Sequence, residues 1–70
     1  MTIMKPDINT AIRLTADMPT ESLKKGAIGV IVAIFTNPNE AYEVEFCDDN
    51  GESIAQVALL VDQFECIPEG

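Results

Sequence analysis

Ala41-Tyr42-Glu43-Val44-Glu45-Phe46 is the stretch from which the rest of the chain can be read. Tyr42, Val44 and Phe46 alternate strictly with Glu43 and Glu45. Successive side chains of a strand point to opposite faces, so this period of two predicts a strand with one buried and one wet side. Asp48-Asp49-Asn50-Gly51 comes soon after, and an Asn-Gly pair between two strand-like runs signals a hairpin, because both residues tolerate the left-handed backbone of a tight turn. The returning strand is expected over Glu52 to Leu60.

Upstream, Ala27-Ile28-Gly29-Val30-Ile31-Val32-Ala33-Ile34-Phe35 is the most apolar segment of the chain. Its β-branched content and an internal glycine favour a strand over a helix. Gly29 within it suggests a bulge, a sharp bend or close backbone packing. Thr36-Asn37-Pro38-Asn39 supplies a turn into the alternating strand. Before Gly26, the turn formers of Ala16 to Lys25 leave room for one helical turn near Thr20 to Leu23. Ile12 and Leu14 alternate with Arg13, which predicts a half-buried strand within Ile8 to Thr15. Val61-Asp62-Gln63 reads as a tight turn before a last strand over Phe64 to Ile67. Five short strands with turn signals between them predict an all-β protein built as a small five-stranded barrel, with at most a short helical turn. Residues 1–7 are expected to form a flexible N-terminal end and residues 8–68 a single domain.

Composition narrows the function. The chain has 70 residues, 12 of them acidic and 4 basic, no histidine, and a net charge of −8. At 47% hydrophobic content it is globular rather than disordered. A chain this short buries only about 60% of its unfolded surface, which leaves one thin core and little room for a deep cleft. All four basic residues, Lys5, Arg13, Lys24 and Lys25, precede Gly26, and only acidic residues follow it among the charged types. Nucleic-acid binding relies on Lys and Arg to neutralise phosphates, so direct contact with DNA or RNA is not expected. Anionic lipid is disfavoured for the same reason. No apolar run approaches the ~20 residues that span a bilayer. Met1 to Asn9 holds no apolar signal core, so a cytoplasmic location is expected.

Catalytic and metal chemistry find few of the residues they need. Without histidine, Ser-His and Cys-His arrangements cannot form. Glu43 and Glu45 are a carboxylate pair, but glycoside hydrolysis also needs a cleft with walls that grip a sugar. Cys47 and Cys66 form no CxxC pair and are expected to be reduced thiols, too few for a zinc site. Asp48-Asp49-Asn50-Gly51-Glu52 fails as an EF-hand loop, since Phe46 stands at the first ligand position and Val57 at the twelfth. Gly26-x-x-Gly29 lacks the Lys-Ser/Thr of a phosphate loop. No catalytic residue, cofactor or metal site is therefore expected.

Several segments together carry a family resemblance: Asp17-Met18-Pro19, Leu23-Lys24-Lys25-Gly26, Ile28-Gly29-Val30-Ile31-Val32, Ala41 to Phe46, Asp49-Asn50-Gly51, Ala55 to Leu59 and Gln63-Phe64. In this order they resemble the bacterial family known as domain of unknown function 4926, from about residue 10 to residue 66. The chain also looks like the SH3-like barrel fold. The resemblance implies a small, stand-alone cytoplasmic bacterial protein, supplies no catalytic residue, and hints at an antitoxin or immunity-type role. The run Gly26 to Val32 is also similar to KOW-type barrels of ribosomal and transcription proteins, but those carry basic residues where this chain is acidic.

The acidic face is the strongest functional lead. Glu43, Glu45, Asp48, Asp49 and Glu52 are expected to form a docking surface for a basic protein partner, where complementary charge steers association. The bland alternative is a solubilising surface. Ile31, Phe35, Ile54 and Leu60 are a candidate apolar contact patch, since a thin barrel cannot bury every apolar side chain. A structural homo-oligomer and a KOW-like nucleic-acid or small-ligand barrel are the alternative functions.

Overall fold

The computed structural model describes residues 6–48 and 50–68. Five strands run in chain order, β1 Ala11–Leu14, β2 Ile28–Phe35, β3 Ala41–Cys47, β4 Ser53–Leu59 and β5 Phe64–Cys66. Two single-turn 3-10 helices, Pro19–Glu21 and Val61–Gln63, are the helical elements among the described residues. All five strands belong to one antiparallel sheet of order β4-β3-β2-β1-β5. The sheet is rolled but not closed, so it is barrel-like rather than a sealed barrel.

The roll is visible in one contact. β3 and β5 are separated by β2 and β1 in the sheet, yet the rings of Tyr42 and Phe64 meet edge-to-face with centroids 5.4 Å apart. Only a strongly curled sheet brings its third and fifth strands together across the interior. The Val61–Gln63 turn makes the corner from β4 to β5: Gln63 Oε1 accepts the Leu60 N–H at 2.7 Å, and the Gln63 N–H donates to the Leu60 carbonyl at 3.0 Å.

The core is the inner face of this roll. It contains Ile12, Leu14, Leu23, Ile31, Tyr42, Val44, Phe46, Leu59 and Phe64, with no buried polar or charged side chain among the described residues. The alternation of β3 is realised as predicted, with Tyr42, Val44 and Phe46 inward and Glu43 and Glu45 on the other face. Leu23 reaches the core from the β1–β2 connection, where the Asp17 carboxylate accepts the Lys25 N–H at 2.8 Å and fastens the loop. β1 starts later than Ile8 because Asp7 to Thr10 form a turn: the Thr10 N–H donates to the Asp7 carbonyl and the Asp7 N–H to Thr10 Oγ1.

Gly29 provides close packing, one of the three roles its position suggested. It pairs with Phe46, and a Cβ built on it would stand 2.6 Å from Val44 Cγ1 and 2.9 Å from the Phe46 ring. The bulge of β2 lies further along, between Ile31 and Ala33, so that Val32 is the extra residue. Ile31, which the sequence reading placed in an exposed contact patch, is wholly buried. It shares its parity with Gly29 and pairs with Val44, so it must point inward.

Gly29→Ala is expected to lower stability by about 1–3 kcal/mol, the usual cost of overpacking a filled core. The check is a lower urea midpoint with an unchanged slope, the signature of lost stability alone. A second expectation concerns alkaline pH. Burial, followed by the neighbouring Glu40 carboxylate, raises the Tyr42 phenol above its ordinary value of 10.0. The unfolded chain therefore loses this proton first, and the resulting stability is fully present below pH 10.0 and lost as pH rises through the higher folded value. Denaturation series on either side of that pH should show a decline that Tyr42→Phe reduces; Cys66, raised by burial, adds a loss of the same sign.

Candidate interaction surface

The outer face of β2, β3 and β4 can be read row by row from the register. Val30, Glu45 and Gln56 form one row, and Ala33, Glu43 and Ala58 the next. Phe35 pairs with Ala41 at one end, and Leu60 follows the last paired residue of β4 on the same side. At the other end Cys47 pairs with Ser53, and the register shift leaves Ile54 as the extra residue. Ile28, Val30, Val32, Phe35, Ile54 and Leu60 are all exposed, each with at least 39% of its surface accessible. Glu43 and Glu45 are half-buried among them.

The charged side chains that β2, β3 and β4 carry are all acidic. Arg13 is the single basic residue in the five strands; it borders the face as the β1 partner of Ile28 and is itself paired with Glu65 at 3.4 Å across the β1–β5 ladder. Both partners of that bridge are about half exposed, so it adds little stability. Glu43 accepts a hydrogen bond from Gln56 Nε2 at 2.7 Å across the β3–β4 ladder. Gln56 had no place in the sequence reading, and only the register shows that it lies beside both glutamates. Ile28, Val30 and Val32 were likewise singled out by no local signal. Their exposure follows from the inward parity of Gly29 and Ile31 and from the bulge.

The hairpin residues play a different part. Asp48 Oδ1 accepts the N–H groups of Asn50 and Glu52, both at 2.9 Å, and the Gly51 N–H donates to the Asp48 carbonyl at 3.0 Å. Gly51 sits at φ 82°, a conformation that favours glycine. Asp48 thus organises its own turn. Glu52 is exposed in the same loop, and Asp49 lies outside the described residues. Of the five acidic candidates, the structure sets Glu43 and Glu45 side by side on the strand face and leaves Asp48 and Glu52 at the hairpin tip. Of the apolar candidates, Phe35, Ile54 and Leu60 are exposed and Ile31 is not.

A shallow, open depression of about 310 Å³ is lined by Asp17, Pro19, Ser22, Leu23 and Lys24. Among the described residues no three His, Cys, Asp or Glu side chains converge as metal ligands, and no helix is long and apolar enough to cross a membrane.

These features define a small all-β module, a rolled five-stranded antiparallel sheet compatible with an SH3-like description. The family model described as Domain of unknown function (DUF4926) matches residues 9–66, and the chain belongs to that family. Comparison with the curated proteins gave no match, nor did comparison with the solved structures.

Asp48→Ala removes the acceptor for two backbone N–H groups and is expected to destabilise the protein by about 1–3 kcal/mol, at about 0.5–1.5 kcal/mol for each bond lost. Asp48→Asn keeps an acceptor oxygen and should retain most of that stability. Thermal denaturation of both variants beside Glu52→Gln, expected to match the unaltered protein, checks the assignment.

Proposed function

We propose that this protein is a non-catalytic interaction module whose outer β2–β3–β4 face docks a basic protein. One observation carries the reading. Glu43 and Glu45 are half-buried within an exposed apolar field, and no basic residue in β2, β3 or β4 neutralises them. A solubilising surface asks for dispersed charge, whereas here the apolar residues surrounding the carboxylates are exposed as well. Contact with a Lys- or Arg-bearing partner would cover Ile28, Val30 and Val32 and exclude water from the ion pairs, which strengthens them. Asp48 supports the hairpin beside this face and is not assigned a direct contact.

The most concrete form of this reading is an antitoxin or immunity-type pairing in the bacterial cytoplasm. There the acidic face would occupy the basic phosphate-binding surface of a nuclease-like partner. Direct nucleic-acid binding is disfavoured, because the same carboxylates would repel phosphate.

The test is capture from host extract at low and high salt, with a Glu43→Lys/Glu45→Lys double variant alongside. A basic protein should be retained by the unaltered chain at low salt and released at high salt. Once purified, it should bind the double variant at least about a hundredfold more weakly, since opposing like charges cost several kcal/mol. Equal recovery by both chains would leave the acidic face as a solubilising surface.

A further inference from the structure

The two edges of the sheet are unlike. β5 is three residues long, contains Glu65 and is followed closely by Pro68, all features that discourage a further strand. β4, at the other edge, runs for seven residues, Ser53-Ile54-Ala55-Gln56-Val57-Ala58-Leu59. It holds no charge, no proline and no glycine. In a chain of net charge −8 this is a long, neutral edge, interrupted by a bulge only near its start at Ile54, and no other described segment pairs with it. At an edge, alternate residues direct their backbone N–H and C=O groups away from the sheet, where another strand can take them.

We infer that β4 pairs antiparallel with β4 of a second copy of this chain, about a twofold axis through Gln56. This goes beyond the docking of a basic partner and uses the strand edge rather than the face. The sequence of β4 is self-complementary in that register. Ala55 stands opposite the partner's Val57, so a small side chain meets a large one at both of these symmetry-related pairs, and beyond them the bulged Ile54 comes near the partner's Ala58. Ile54, now 57% exposed, gains a neighbour on the outer face, and half-buried Val57 gains one on the inner face.

Gln56 fits the axis chemically. Its Nε2 donates to the Glu43 carboxylate of its own chain at 2.7 Å, which sets the amide with its nitrogen toward β3. An amide carries two N–H donors and a carbonyl acceptor. The second N–H and the carbonyl remain, and on a twofold axis they form a reciprocal pair with the partner's Gln56. No carboxylate faces a carboxylate along the shared edge, because Glu43 and Glu45 lie one strand further in. What opposes pairing is the long-range repulsion of two chains of −8, and salt screens it. Added salt should therefore strengthen this dimer, whereas it weakens the docking of a basic partner.

The experiment is the solution mass of the isolated protein by light scattering, across concentration and at low and high salt. The unaltered chain should reach twice its 7.6 kDa mass, at lower concentration when salt is high. Ala58→Lys, which places a charge on the edge, should hold the mass at 7.6 kDa with an unchanged circular dichroism spectrum. Ile28→Lys, on the outer face of β2, should leave the dimer intact. Gln56→Cys in a Cys47→Ser background should give a disulfide-linked dimer under mild oxidation, because residues on the axis abut. A 7.6 kDa mass at every concentration and salt, or a dimer broken by Ile28→Lys but not by Ala58→Lys, overturns the inference. Neither outcome bears on the capture of a basic partner, which is read at the opposite salt dependence.

Discussion

The ring of Phe46 lies over Gly29, its cross-strand partner, and the rest of the structure depends on that contact. Any side chain at residue 29 would collide with Phe46 and with Val44. Without one, β2 and β3 pack close on their inner face, and the ring fills the space a side chain would have taken, a known way for aromatic residues to stabilise strand glycines. β2 can then serve as the central strand, paired to β1 along its first half and to β3 along nearly all its length. The curl of the sheet brings Tyr42 to Phe64 and closes the core, with nine buried hydrophobic side chains among the described residues. A domain of this size has a small core, so each of these contacts is a large share of what holds it.

The outer surface follows from the inner one. Because β3 alternates, burying Tyr42, Val44 and Phe46 obliges Glu43 and Glu45 to face outward. Because Gly29 and Ile31 of β2 point inward, Ile28 and Val30 point outward, and the bulge adds Val32 to the same side. Two carboxylates consequently stand beside an apolar ridge that the core has no room for. The neutral edge of β4 borders the same face, with Gln56 joining the two through Glu43. A single small sheet thus carries a charged apolar face and an uncharged edge.

The five strands were legible in the linear sequence because their signals are local. The period of two in β3, the β-branched run of β2 and the Asn-Gly turn depend only on neighbours along the chain. Boundaries shifted where a side chain took over a backbone group, as at the Asp7–Thr10 turn, which delays β1 to Ala11. Asp48 looked like one more surface charge, and only its bonds to the Asn50 and Glu52 N–H groups show it to be a turn organiser. Ile31 was misplaced for a different reason. In a continuously apolar strand nothing local says which parity is inside.

What the sequence by itself determined is therefore the set of strands, their all-β class, the face on which Glu43 and Glu45 stand, and the family to which the chain belongs. What only the tertiary structure decided is the parity of β2, the burial of Ile31, the place of Gln56 beside the two glutamates, and which strand is left at an open edge. The division is physical. Alternation and turn chemistry are set within a few residues, whereas parity, register and edge position come from how strands far apart in the chain pair and curl around one core.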